Sequence, residues 1–291
     1  MADSVERTHL YHAEASALSG HLQLPFDLEI EQPASVELPE KGGYLTQRGL
    51  DYRLGSAISY KHAYTHVAGN KETKPGHGWN TLATSVIEGF NVLEVVTADR
   101  IVAQIGTDHP PEGHVPTVTF LGSRFENLRI AGHPVELDLN FSIVGDKPES
   151  DAPYTDPSSS GLLGRAAAQH ARVRDQHKDY KNPIEGLLER FHLLPDKPTR
   201  GDGDEESIEC SLVNQASGPF PGSCFGHVIH VPHFGTIYLA VLKVRHSKFL
   251  QKGRSPQLTN FELSMIDIDM GCIGSGKTSG ATAKTNGVSG Q

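Results

Sequence analysis

The chain has 291 residues, a formal charge of −9, 37% hydrophobic side chains and 21% charged ones. That length and apolar content suffice for a sizeable core and exclude a wholly disordered chain. The acidic balance, with no Lys/Arg cluster, excludes a general nucleic-acid binder, and the lack of any apolar run of about 18 residues excludes a helical membrane span.

Three further counts bear on partners and compartment. The three cysteines read as buried thiols of a reducing compartment, with a bridge between Cys210 and Cys224 across a hairpin as the alternative. Residues 1–7 carry no secretory signal, which points to the cytoplasm. Sixteen histidines make the surface charge sensitive to mild acid, since protonating half of them would nearly cancel the net negative charge.

In chain order, Ala13, Ala15 and Ala17 alternate with Glu14 and Ser16, and Leu22, Leu24 and Phe26 continue the pattern. Small residues on an inward face suit a tightly packed strand. Leu28, Ile30, Val36 and Leu38 alternate again, and Pro33 and Pro39 confine these pieces to edge or bulged positions. Lys41-Gly42-Gly43 is a turn. Residues 50–67 predict a hairpin with Ile58, Tyr60, His62, Tyr64 and His66 on one face, and 70–78 a loop leading to Trp79, the sole tryptophan.

The stretch 79–143 supplies three apolar runs, 82–96, 101–105 and 115–143, divided by polar and Gly/Pro-rich breaks, which is a β-meander signature. Residues 135–143 alternate completely, burying Val135, Leu137, Leu139, Phe141 and Ile143. A two-residue turn at Ala131-Gly132 would pair them with 125–130.

Residues 145–160 form a Pro/Asp/Ser loop, after which Leu162, Leu163, Ala166, Ala167, His170 and Val173 recur at helical spacing. A second helix is predicted after Pro183, with Ile184, Leu187, Leu188, Phe191 and Leu194 on one face. Residues 195–207 read as an acidic loop. Strands resume at 208–213, 226–232, 236–244 and 258–270. The last of these changes phase, which a β-bulge at Met265-Ile266 reconciles. Residues 271–291, rich in Gly, Ser and Thr, read as a flexible tail unless a partner orders them.

The expected fold is therefore all-β: an antiparallel β-sandwich or jelly-roll-like domain with a two-helix insert. Residues 1–144 form its first part, 145–207 the insert, 208–270 the second part and 271–291 the tail.

Two regions are similar to the choice-of-anchor P family of bacterial surface-associated proteins. The first is Asn91-Val92-Leu93 with Val96-Thr97-Ala98-Asp99, then Thr119-Phe120-Leu121-Gly122, Leu128 and Gly132. The second is 228–239, leading to 258–270. The resemblance implies an all-β extracellular module without an assigned reaction. The chain departs from that family in its helical insert and in showing neither an export signal nor a C-terminal anchor.

Motifs with chemical meaning are sparse. Gly271, Gly276, Lys277 and Thr278 fit the P-loop pattern, but a phosphate-holding loop needs a following helix, and the Gly-rich 279–291 offers none, so nucleotide binding is not expected. His227, His230 and His233 cannot converge from one strand, because their spacing alternates faces. Asp267 with Asp269, and Glu136 with Asp138, read as solvated faces of a half-buried sheet. Arg200-Gly201-Asp202 is too short a motif to carry a function, and 202–206 lacks the offsets of a calcium loop.

Two functions follow. The first is a non-enzymatic structural or interaction protein, a homo-oligomer that self-associates through β edges and the tail, with no cofactor. The second is a small-molecule enzyme or binding protein whose His/aromatic pocket gathers Tyr60, Tyr64, His77 and Trp79, with His62 and His66 as ligands to a divalent metal.

Overall fold

Period-two alternation governs the chain, and in a computed structural model it becomes antiparallel strands almost throughout. The structure describes residues 8–22, 28–31, 33–72, 78–113, 115–148, 152–180, 184, 187–192, 199–200, 205–248, 257–271 and 276–290. The first half holds β1 (Thr8–Leu22), β2 (Leu28–Ile30), β3 (Ser35–Glu37), β4 (Gly43–Leu54), β5 (Ile58–Lys71), β6 (Trp79–Val92) and β7 (Val96–His109). Short strands follow: β8 (Thr117–Thr119), β9 (Arg124–Glu126), β10 (Arg129–Ile130), β11 (His133–Pro134) and β12 (Glu136–Leu139). After helices α1 (Leu162–Lys178) and α2 (Leu187–His192) come β13 (Thr199–Arg200), β14 (Glu205–Ser211), β15 (Val213–Ser217), β16 (Ser223–Phe225) and β17 (Val228–Val231). The long β18 (Gly235–Lys248), β19 (Gln257–Met270) and β20 (Gly276–Gly290) close the chain.

The larger sheet runs β13-β14-β18-β19-β20-β1-β2, with β17 also on β18, β16 on β17 and β3 on β1. The smaller runs β11-β10-β7-β6-β5-β4, with β8 and β9 also on β7, and β12 pairs with β15 as a separate ribbon. The edge positions expected from Pro33 and Pro39 are where β2 and β3 lie, each beside β1.

β1 and β20 meet β5, β6 and β7 across the core. The approach is close because the meeting face is built of small residues: Ala13, Ala15, Ala17, Ala281 and Ala283 are buried against Ile87, Phe90, Ile101 and Ile105. A Cβ at Gly280 would lie 3.4 Å from the Phe90 ring. Polar bonds also cross the gap, with Ser85 Oγ donating to Ser16 O at 2.9 Å and the Thr107 and Thr285 hydroxyls 3.1 Å apart. Burial of these hydroxyls is tolerated because each of them has a partner.

Both sheets reverse their inside–outside alternation along a transverse line. In the larger sheet, Ala240 (φ 46°) and Ala281 (φ 53°) flank Met265, yet the pairs Val241 with Ser264 and Leu239 with Ile266 on either side share one register. The phase change expected at Met265-Ile266 is therefore present, but the β-bulge expected to produce it is not, because the register does not slip and the positive-φ alanines on the neighbouring strands mark the reversal. The smaller sheet does the same at Asp51 (φ 47°), Lys61 and Gly89 (φ 66°).

Three local expectations need correction. The turn at Ala131-Gly132 exists, with φ 48° and 80°, but it joins only the short β10 and β11, and the following alternating stretch leaves to pair with β15. Within the acidic stretch read as a loop, Glu205, Glu206 and Ser207 already belong to β14, where Glu205 and Glu206 pair with Ser247 and His246. The presumed tail is β20, hydrogen-bonded to β19 on one side and β1 on the other. Its Ala281 and Ala283 match the small inward residues of β1, so composition hid a core strand. Gly276, Lys277 and Thr278 are thus strand backbone, not the start of a helix, while residues 272–275 lie outside the described ones.

The two-helix insert reduces to one full helix and a six-residue helical turn. α1 buries Leu162, Leu163, Ala166, Gln169, His170, Val173 and His177 at i, i+3 and i+4 spacing. The Leu162 N–H donates to Ser160 Oγ at 3.3 Å, while Arg165 donates to Ile143 O (2.6 Å) and Val144 O (2.9 Å). Gln169 completes the end of β14: its Nε2 donates to Ser211 O and its Oε1 accepts from Ser211 N–H, both at 2.9 Å. α2 contributes Leu187 and Phe191 to a second apolar cluster with Val173, Phe225, Val228 and Tyr238. The thiols of Cys210 and Cys224 are unbridged, and burial pushes that of Cys210 up to about 12.

Candidate functional site

The residues expected to form a His/aromatic pocket are divided between two faces. The phase reversal at Lys61 turns Tyr60 inward and leaves His62, Tyr64 and His66 on the outer face. Tyr60 stacks on Tyr52 with centroids 5.3 Å apart, and burial first, then the Tyr52 hydroxyl, pushes its phenol up to about 12. His62 and Tyr64 border a depression of about 280 Å³ with Arg48, Glu88 and Arg100. His66 sits 4.5 Å from the Tyr44 ring, and burial lowers its pKa. Trp79 points inward, stacked on His9 at 4.9 Å and 9°, with His109 4.8 Å beyond. His77 lies outside the described residues. One strand cannot present Tyr60 and His62 to the same ligand once its alternation has reversed between them.

His62 and His66 do share a face, but among the described residues no third metal-ligating side chain joins them. His227, in the turn before β17, and His230, on β17, are separated as their spacing requires: His227 is buried against Phe191 (5.5 Å), while His230 Nδ1 meets Thr236 Oγ1 at 3.2 Å. Burial first, then the His170 and Arg190 charges, push His227 down to about 3. Burial likewise takes His170 to about 4, and its Nε2 donates to Glu209 O at 3.0 Å. Both imidazoles are neutral parts of the packing under α1 and α2. Asp267 accepts from Ser264 Oγ, and Asp138 from Asn214 Nδ2 at 3.2 Å. Residues 201–204 lie outside the described ones.

Chemistry concentrates instead on the outer face of the larger sheet. Register aligns Glu209, Lys243, Glu262, Lys284, Glu14 and Glu37 in one row across β14, β18, β19, β20, β1 and β3. Arg190 Nε meets Glu209 Oε1 at 2.7 Å, and Lys284 Nζ stands 3.5 Å from Glu14 Oε2 and 3.9 Å from Glu262 Oε1. Arg245 Nη2 reaches Glu262 Oε2 at 3.5 Å. The next row along the strands is Ser211, Val241, Ser264, Thr282, Ser16 and Ser35. A cavity of about 230 Å³ opens between the rows over Glu14, Ser16, Ser35, Glu262, Thr282 and Lys284, and one of about 210 Å³ lies beside His12.

His12 precedes Glu14 on the same face and places its Nε2 3.2 Å from Glu14 Oε1, with its Nδ1 3.9 Å from Glu37 Oε1. The hydrogen bond to Glu14 raises the His12 pKa, and the same bond lowers that of Glu14. Such a row can hold cations or a polar ligand. The site was hidden in the sequence because its members come from strands far apart in the chain. The one local hint is the Ala281-Thr282-Ala283-Lys284 alternation, which repeats the Ala-polar pattern of β1.

Antiparallel sheets carrying this charged face define a predominantly β protein, and no helix among the described residues is long and apolar enough to cross a membrane. A model of the family described as Domain of unknown function (DUF8256) matches residues 9–245, most of the chain, so the chain belongs to that family. The match runs from β1 into β18 and leaves β19 and β20 beyond it. No curated protein and no solved structure matches.

Proposed function

We propose that the protein is a non-enzymatic interaction protein whose two sheets stack as a β-sandwich and which self-associates by pairing β4 with the same strand of a second copy. The observation that carries this is β4 itself. It is 12 residues long, ends the path of the smaller sheet, and is exposed at most positions on both faces. Tyr44 is 63%, Leu45 40% and Leu50 69% exposed.

A long edge strand offers a row of unpaired backbone N–H and C=O groups, and natural proteins shorten, charge or cover such edges unless they are used. The other sheet ends among the described residues are shorter: β2, β3, β11 and β13 have two or three residues, and β12 and β15 of the separate ribbon four and five. The backbone of β20 is already paired on both sides, so association rests on the edge and not on the chain's last residues.

Light scattering across a concentration series tests this reading. The expected result is a mass that rises towards a dimer, and a monomer throughout for Leu45→Lys combined with Leu50→Lys, with its melting temperature kept. A wild-type chain that stays monomeric at the highest concentration reached would overturn it.

A further inference from the structure

Charge alternates from strand to strand across the outer face of the larger sheet until its final step. Glu209, Lys243, Glu262, Lys284 and Glu14 follow one another with alternating sign, but β3 then sets Glu37 directly opposite Glu14, where alternation calls for a cation. Like charges directly opposite on neighbouring strands are destabilising. The group that stands by both carboxylates is the His12 imidazole, 3.2 Å from one and 3.9 Å from the other.

We propose that His12, Glu14 and Glu37 bind one divalent first-row transition ion, for which zinc is the probe. Their ligand atoms lie within 4.8 Å of one another, and among the described residues this is the group of three that could hold a metal. The side chains are 39%, 38% and 69% exposed, so small rotations can bring them to one centre. An imidazole nitrogen with two carboxylate oxygens suits zinc, manganese or cobalt, whereas calcium and magnesium prefer oxygen alone.

Lys284 Nζ stands 3.5 Å from Glu14 Oε2, fixing that oxygen and leaving Oε1, which faces His12, for the metal. Three protein ligands leave a coordination position open. Glu14 also lines the 230 Å³ cavity with Ser16, Ser35 and Thr282, so an oxygen ligand held by those hydroxyls can reach the ion. Zinc would also tie the three-residue β3 to β1.

The test is a zinc titration by calorimetry of tag-free protein stripped with a chelator, with calcium titrated in parallel. One zinc per chain is expected, with affinity lowered about tenfold or more by His12→Ala or Glu37→Gln and unchanged by His62→Ala. At one zinc concentration, zinc should raise the melting temperature of the wild type more than that of Glu37→Gln. Without metal, Glu37→Gln should melt at or above the wild-type temperature, because it relieves the Glu14–Glu37 repulsion, which also shows that it is folded. Absent stoichiometric binding, affinity indifferent to His12→Ala, or calcium bound as tightly as zinc would each overturn the proposal. Edge pairing through β4 is unaffected by any of these outcomes.

Discussion

The Tyr60 hydroxyl occupies the place where a side chain at position 49 would begin: a Cβ on Gly49 would fall 2.5 Å from Tyr60 Oη and 3.4 Å from the Ala34 Cβ. That hydroxyl is buried and has no hydrogen-bond partner among the described residues. The pair is thus close-packed and polar without compensation. Gly49→Ala should destabilise by about 1–3 kcal/mol through overpacking, against the modest gain that a Gly-to-Ala change gives through the unfolded chain. Tyr60→Phe should be neutral or stabilising by about 1 kcal/mol, because it removes an unsatisfied hydroxyl. When Tyr60→Phe is already in place, Gly49→Ala should cost clearly less, and urea denaturation of the full double-mutant cycle measures that coupling.

Mild acid should destabilise the fold through His170 and His227. In the unfolded chain a histidine takes its proton near its ordinary value of about 6.5, whereas in the folded protein burial delays this to about 4 for His170 and about 3 for His227. Their contribution is fully present above the unfolded value. It is lost as pH falls from there towards 4, at about 1.4 kcal/mol per pH unit for each proton taken up only on unfolding. Urea midpoints between neutral pH and about pH 4.5 should fall, and His227→Gln should make the decline shallower. An unchanged slope in that variant would remove His227 from the account.

Ending the chain after Met270 should abolish folding, not trim an appendage. β20 lies between β19 and β1, so its loss leaves two long strands with unpaired edges and uncovers Phe90. The expected outcome is insoluble protein, or soluble protein without a cooperative melt. A milder probe is Gly280→Val, since a Cβ there already stands 3.0 Å from Ile266 Cγ2, and overpacking should lower stability by about 1–3 kcal/mol. A truncated chain that melts like the full one would show that β20 is dispensable.

Arg190 pins α2 to the sheet, its guanidinium 3.9 Å from the centre of the Tyr238 ring and 2.7 Å from Glu209 Oε1. Arg190→Ala should cost on the order of 2–3 kcal/mol, because it removes the ring stack and leaves a half-buried carboxylate with only the more distant Lys243, 4.0 Å away. Arg190→Lys keeps the charge and loses the planar stack, so its melting temperature should fall between the two.

What can be read in the sequence is whatever depends on alternation within a strand. The runs that become β18 and β19 are visible there, as is the phase change at Met265, because large aliphatic residues mark which face is buried; in the meander the break is displaced, since the turn at 93–95 falls inside the run 82–96 and the polar residues 97–100 lie within β7. β20 is not visible: its inward residues are Gly280, Ala281 and Ala283, and their smallness makes sense only against Phe90 and the alanines of β1. The mistaken single face for Tyr60 and His62 has the same origin, since the reversal at Lys61 is matched by Gly89 on the neighbouring strand. The row from Glu209 to Glu37 is a product of register between strands distant in the chain, for which no local pattern exists.

Thr8 is paired with Gly290, so neighbours in the larger sheet are joined across nearly the whole polypeptide. Until β20 is in place, the edge of β1 that it covers stays unpaired. Pairing over such separations is slow, and in that interval a nascent chain exposes a template onto which another copy can add. A refolding yield that falls as protein concentration rises is the practical consequence expected.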